Sequence, residues 1–238
     1  MLYKTEEINK TIAALLAIAI VISFVGCEGV KKDSVPKRKY DKTDPSAVLE
    51  EITNDFNAVA LYITGELEKT YSDVGTTFEA YQKNKGQIDE WIELVLSESD
   101  ALFARTKENS VIYFKLIAAD SKHENYDFCN DALDAYYDVV YDDAMDIYYD
   151  KVYDDAMDSL YDKYYNGIID DAYDTTDYDV WSDASSESYQ TWSDANSAIY
   201  EKWSSESSYV YGLWSAINSA FCSHDNFDVD GIIADYKN

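Results

Sequence analysis

Glycine, histidine, proline and basic side chains are all scarce in this sequence, and each scarcity excludes something. Eight glycines, with no strand–helix alternation, speak against the α/β lobes of a solute-binding protein. His123 and His224 are the only histidines, and neither belongs to a two-histidine zinc pattern such as H-E-x-x-H. No nucleophile elbow, phosphate loop or dinucleotide fingerprint occurs. Nothing in these motifs calls for a cofactor. Lysine and arginine total 19 against 47 acidic residues, for a formal net charge of −28. Such a chain repels nucleic acid, whose phosphates need clustered basic residues, and it repels anionic envelope polymers.

What is plentiful is apolar and aromatic material, at 47% and 15% of the residues. That is enough to build a core despite the charge, so the chain is read as folded. Acidic pairs such as Asp142–Asp143, Asp154–Asp155 and Asp170–Asp171 have the residue type for acid–base hydrolysis. In so acidic a chain, they are expected as a solvated face instead.

The first 27 residues have three parts. A polar start carries Lys4 and Lys10, an apolar run covers residues 11–25, and Gly26-Cys27 follows. The run is short for a membrane span, which takes about 20 residues, and the order of parts is that of a secretion signal. A plain signal with an incidental cysteine and an uncleaved anchor helix are the competing readings. Phe24-Val25-Gly26-Cys27 resembles the lipobox of bacterial lipoproteins, with Phe24 where the family usually has Leu. That resemblance implies lipidation of Cys27 and a body held outside the cytoplasm, with the membrane as partner through the lipid. Residues 28–45 hold six basic and four acidic side chains together with Pro36 and Pro45, the only prolines, and read as a disordered basic tether. The expected division is a signal at 1–26, lipidated cysteine and tether at 27–45, a helical domain at 46–222 and a C-terminal tail at 223–238.

Within the body, Asp44-Pro45 is a helix opening, and Leu49, Ile52, Phe56, Val59 and Ile63 follow at spacings of three and four. Gly75 ends that helix, and Thr76-Thr77-Phe78-Glu79 has the form of a capping box. Tyr81, Ile88, Trp91, Val95 and Leu102 continue a helical period, and the dense apolar stretch 111–119 is expected to be buried. From Ala132 the beat changes. Apolar pairs recur every four residues from Tyr136-Tyr137 to Tyr164-Tyr165, inside a 12-residue repeat. At ~100° per residue, a period of four advances ~40° each time. The expectation is therefore a band that spirals around the helix, or a break, with Asn166-Gly167 the candidate.

Trp181, Trp192, Trp203 and Trp214 are spaced by 11, and Tyr189, Tyr200 and Tyr211 keep a constant offset of eight. Eleven residues make nearly three turns, so this stripe stays on one face. The reading favoured is an aromatic seam packed against neighbouring helices. The alternative is an exposed ladder that stacks on envelope glycan or on a partner protein. These Trp-Ser-Asp and Tyr-Asp units, over residues 136–220, resemble those of uncharacterised repeat lipoproteins of Gram-positive anaerobes. That resemblance implies no activity.

Two further sets of residues are singled out. Asn226, Asp228 and Asp230, with Gly231, have the opening of a calcium loop, but Lys237 stands where a bidentate Glu belongs. A divalent cation is thus one reading of these residues, and an acidic turn capping a short helix is the one favoured. Cys129 and Cys222 flank the repeat region symmetrically about Thr175-Thr176, where one beat stops and the next is about to begin. This predicts an antiparallel hairpin with its tip at residues 174–177 and a possible disulfide between its ends. The fold expected is all-α, an elongated antiparallel helical bundle of long, coiled-coil-like helices. The function expected is a non-enzymatic, membrane-anchored spacer or interaction module.

Overall fold

The computed structural model describes residues 40–120, 126–222 and 228–236. The signal segment, Cys27, most of the tether and the polar stretch 121–125 lie outside the described residues. So do the side chain of Cys222 and all of Asn226.

Among the described residues every regular element is helical. The first helix, α1 (Pro45–Val74), opens as its sequence dictates. The Asp44 side chain accepts from the Ser46 N–H, and Pro45 fills the first turn, where its missing N–H costs nothing. Gly75 closes the helix at φ +87°, in the left-handed region that glycine enters without strain. Here a Cβ would also stand 3.0 Å from Ala80 Cβ. Helix α2 (Phe78–Asn84) is capped by Thr77, which accepts from the Ala80 N–H. The cap therefore sits one residue later than the Thr76–Glu79 box expected, because Thr77 is the residue with extended backbone. Helix α3 (Gly86–Ala119) follows at once. Only one face of its last turns is buried, through Tyr113, Phe114 and Ile117.

Then comes a nearly continuous rod in which α-helix and wider π-helix alternate. Its parts are α4 (Tyr126–Tyr136), π1 (Tyr137–Ala144), α5 (Met145–Tyr148), π2 (Tyr149–Ala156), α6 (Met157–Leu160) and π3 (Tyr161–Ile169). Residues 172–176 form the turn, and α7 (Tyr178–Cys222) runs back for 45 residues, about 67 Å. The tip thus falls where the two beats meet, with Asp177 accepting from the Asp179 N–H and opening α7.

The rod resolves the conflict between a four-residue beat and a 3.6-residue helix in a way the sequence reading did not foresee. It neither spirals its apolar band nor breaks at Asn166-Gly167, which lies inside π3. The π segments add residues to the turn, so each 12-residue repeat closes in three turns of four. Every column four residues apart then runs straight. Residues 136, 140, 144, 148, 152, 156, 160 and 164 are all buried, and Asp138, Asp142, Asp146, Asp150, Asp154, Asp158 and Asp162 are all exposed.

The bundle pairs α1 with α3 and the rod with α7, each antiparallel, and lays the two hairpins side by side. Lys85–Glu187, Asp100–Lys202 and Lys107–Glu206 ion pairs rise together along α3 and α7, so those two helices run parallel. The 11-residue beat is wider than the tryptophan stripe suggested. In α1 the buried set includes 48/59, 49/60, 52/63/74 and 56/67, and in α3 it includes 88/99/110, 91/102/113 and 95/106/117. Helix α8 (Val229–Asp235) packs on α3 and α7, burying Val229 and Ile233. Tyr236 lies against Tyr209. Residues 229–236 are therefore part of the body, where a tail had been expected. No helix among the described residues is long and apolar enough to cross a membrane.

Candidate functional site

The rod's column facing α7 reads Tyr137, Tyr141, Met145, Tyr149, Tyr153, Met157, Tyr161, Tyr165, Ile169 and Tyr173, one residue per turn. Against it stand the tryptophans and tyrosines of α7. Tyr137 lies 4.7 Å from Trp214, Tyr149 4.8 Å from Trp203, Tyr161 4.8 Å from Trp192 and Tyr173 4.8 Å from Trp181, between ring centroids. Tyr141 meets Tyr211 at 5.3 Å, Tyr153 meets Tyr200 at 5.3 Å and Tyr165 meets Tyr189 at 5.9 Å. Three complete four-ring rungs result, with a fourth that lacks one member because Asp177 takes the place of a tyrosine.

The rod advances 12 residues per rung and α7 advances 11, yet the rungs stay matched. Both counts make three turns, and turns are what the two helices must share. Two bands with such different beats therefore keep register along the hairpin.

The backbone is locked at each rung. Trp181, Trp192, Trp203 and Trp214 donate their indole N–H to the carbonyls of Ile169, Met157, Met145 and Leu133 at 2.9–3.1 Å. Those acceptors are themselves 12 residues apart. Met145 and Met157 open α5 and α6, and the N–H groups of Tyr149 and Tyr161, where α gives way to π, are each shared between that carbonyl and the next. The carbonyls thus keep a lone pair to offer, and the indoles take it. Trp91, in α3, makes the same bond to Ile63 in α1 at 3.1 Å.

The four tryptophans are neither core nor exposed; all are partly buried. Their N–H groups are occupied, which leaves ring faces and edges as what the tryptophans show to solvent. In the three complete rungs the outermost members are Tyr189, Tyr200 and Tyr211, 48%, 42% and 45% exposed.

The acidic pairs at 142–143, 154–155 and 170–171 are exposed on the outer side of the rod. Asp146 and Asp158 are nevertheless pushed up from the usual carboxylate range. Desolvation is the first cause, and the repulsion of Asp neighbours one turn away is the second. Asp228 caps α8 by accepting from the Gly231 N–H, and Asp230 pairs with Lys115 at 2.7 Å, so both are engaged within the fold. No cluster of three or more metal-ligating side chains occurs among the described residues. Cys129 is buried, and burial together with Asp120 raises its thiol pKa. Its pairing with Cys222 falls on a side chain outside the described residues.

Sequence reasoning missed Glu206. It occupies the inner seam of α7, at the position that is Ala184, Ala195 or Ile217 in the other repeats, and is 2% exposed. Lys107 reaches it at 3.0 Å, while its second oxygen is buried with no partner. Burial pushes its carboxyl up to about 7, against the pull of Lys107. The signal was present in the sequence, as an acid where every equivalent position is apolar. No protein-family model matches the chain, and neither does any curated protein or solved structure, which leaves the rungs' own chemistry as the basis for a functional reading.

Proposed function

We propose that the chain is a lipid-anchored protein of the extracytoplasmic face, whose helical body is a non-enzymatic spacer and interaction module. The observation that carries the structural half of this reading is the ladder itself. A hairpin locked rung by rung through indole–carbonyl bonds and ring contacts is stiff along its length, as a spacer requires. The anchoring half rests on Cys27 and the apolar run before it. Exchanging Cys27 for Ser is expected to abolish fatty-acid labelling and to release the protein from the membrane fraction or leave its signal uncleaved. Full membrane retention of a mutant of unchanged size would overturn lipid anchoring in favour of an uncleaved helix.

The half-exposed rings favour a second reading, in which the ladder is a binding surface for envelope glycan or a partner protein. Tyrosine and tryptophan present large flat faces at low entropic cost, and three rungs about 16 Å apart offer a repeating platform. The negative charge of the body excludes anionic polymers from that platform.

A further inference from the structure

The repeats act as controls for one another, and the third rung departs from the other two. On the inner column, Tyr136 and Tyr148 reach α3. Tyr136 donates to Ser110 Oγ at 2.7 Å, and the Tyr148 hydroxyl meets Ser99 Oγ at 2.6 Å. One repeat further along, the equivalent pair is Leu160 and Ile88, 12 and 11 residues from Tyr148 and Ser99. The polar bridge is gone, and a cavity of about 50 Å³ lies there, lined by both residues.

The next position changes in the opposite sense. Val140 and Val152 are followed by Tyr164, whose hydroxyl is buried without any hydrogen-bond partner and whose ring is 3% exposed. In α7, Ile199 and Val210 are answered by Ser188, which meets the Tyr81 hydroxyl. Thr191 takes the place of Lys202 and Leu213, and a Lys85–Glu187 ion pair closes the rim. Relative to the other rungs, Leu160 and Ile88 remove the hydroxyl pair of the inner column, while Tyr164, Ser188 and Thr191 bring three hydroxyls to the lining of the cavity, beside the rings of Tyr161, Tyr165 and Trp192.

From this we infer that the third rung is a binding site for a neutral saccharide. A hydroxyl or hydroxymethyl group enters the cavity to meet Tyr164, while the sugar ring lies against the outward aromatic faces. The inference rests on the reading of the ladder as a binding surface and gives it an address. The cavity is well below the ~150 Å³ that holds a benzene ring, so only a substituent enters. Hydroxyls beside an oppositely charged pair suit a group that both donates and accepts. The acidity of the whole body selects against anionic sugars.

The test is calorimetric titration of the full chain with glucose, N-acetylglucosamine and its β-1,4-linked oligomers. Saturable binding is expected, at least tenfold weaker in the double variant Tyr164→Val, Ser188→Ile, which restores residues that the other rungs carry. Thr191→Val, a near-isosteric change at the rim, should weaken it several-fold and serves if the double variant does not fold. Binding that survives these changes but is lost on Trp203→Ala would keep the ladder as a binding surface and overturn the third-rung site. No saturable binding of any of these sugars, leaving a cavity that holds water only, would overturn the site. Binding of spermidine in their place would also overturn it.

Discussion

At the scale of single residues, two buried polar groups behave in opposite ways. The tryptophan N–H groups are consumed by backbone carbonyls, so burying them costs little. Glu206 is held by Lys107 on one oxygen and is orphaned on the other, so its charged form is poorly solvated. Its carboxyl rises from an ordinary 4.5 to about 7, which means that the native state holds the proton more tightly than the unfolded chain. The sign follows. This stabilisation is fully present below pH ~4.5 and is lost as pH rises through ~7. The shift corresponds to about 3 kcal/mol. Glu206→Gln is expected to raise the urea midpoint at pH 8 and to converge with the parent protein near pH 5, because Gln needs no proton and Lys107 can turn to solvent. A variant whose pH profile parallels that of the parent would show that Glu206 does not titrate in this window.

At the scale of the element, the rod turns an apparent sequence defect into straightness. Twelve residues per three turns are more than an α-helix holds, and the surplus residue is absorbed as π-helix. Deleting Asp155 leaves 11 residues in that repeat, the count at which an α-helix closes three turns. The rungs on either side should stay matched while π2 reverts to α, and the melting temperature should change little. Deleting Asp194 from α7 leaves ten residues, for which no helix closes three turns. The flanking tryptophan swings by ~100° and its rung is lost. With several ring contacts at ~0.5–1.5 kcal/mol each, that deletion should cost at least ~3 kcal/mol. Equal loss of thermal stability in the two deletions would refute the matching of turns.

For the whole molecule, the consequence of straight columns is electrostatic. The exposed aspartates of the rod stand one per turn on a single face, about 5–6 Å apart by helix pitch. Residues 126–179 hold 17 aspartates, against Lys151 and Lys163 as the only basic residues. Lys151 pairs with Asp155, and Lys163 crosses to Glu68 in α1 while lying 3.6 Å over the Tyr71 ring. The aspartates of the exposed column, Asp138 to Asp162, are close enough along it to repel one another. Salt screens such charges over ~10 Å at 0.1 M. Helicity by circular dichroism is accordingly expected to rise with sodium chloride at neutral pH, and to rise again on acidification as the aspartates and Glu206 take up protons. A signal flat in both would mean that packing alone sets the helix content.

The helices, their openings at Asp44 and Asp177, the closure at Gly75, the hairpin tip and the 11-residue stripe were all determined by the sequence, because caps, turns and periodicity act locally. The site was only half legible. The tryptophan ladder announced itself by spacing, whereas Glu206, Tyr164 and Ser188 showed only as departures from repeats whose inner faces were not yet known. What tertiary structure alone decided was how a four-residue beat becomes a helix. In isolation, a chain with that pattern must choose between a spiralling apolar band and a break. Packed against α7, it widens to four residues per turn, because only then can every rung bring its rings into contact and every tryptophan reach a carbonyl. That preference comes from contacts between helices, so it cannot be read from either helix by itself.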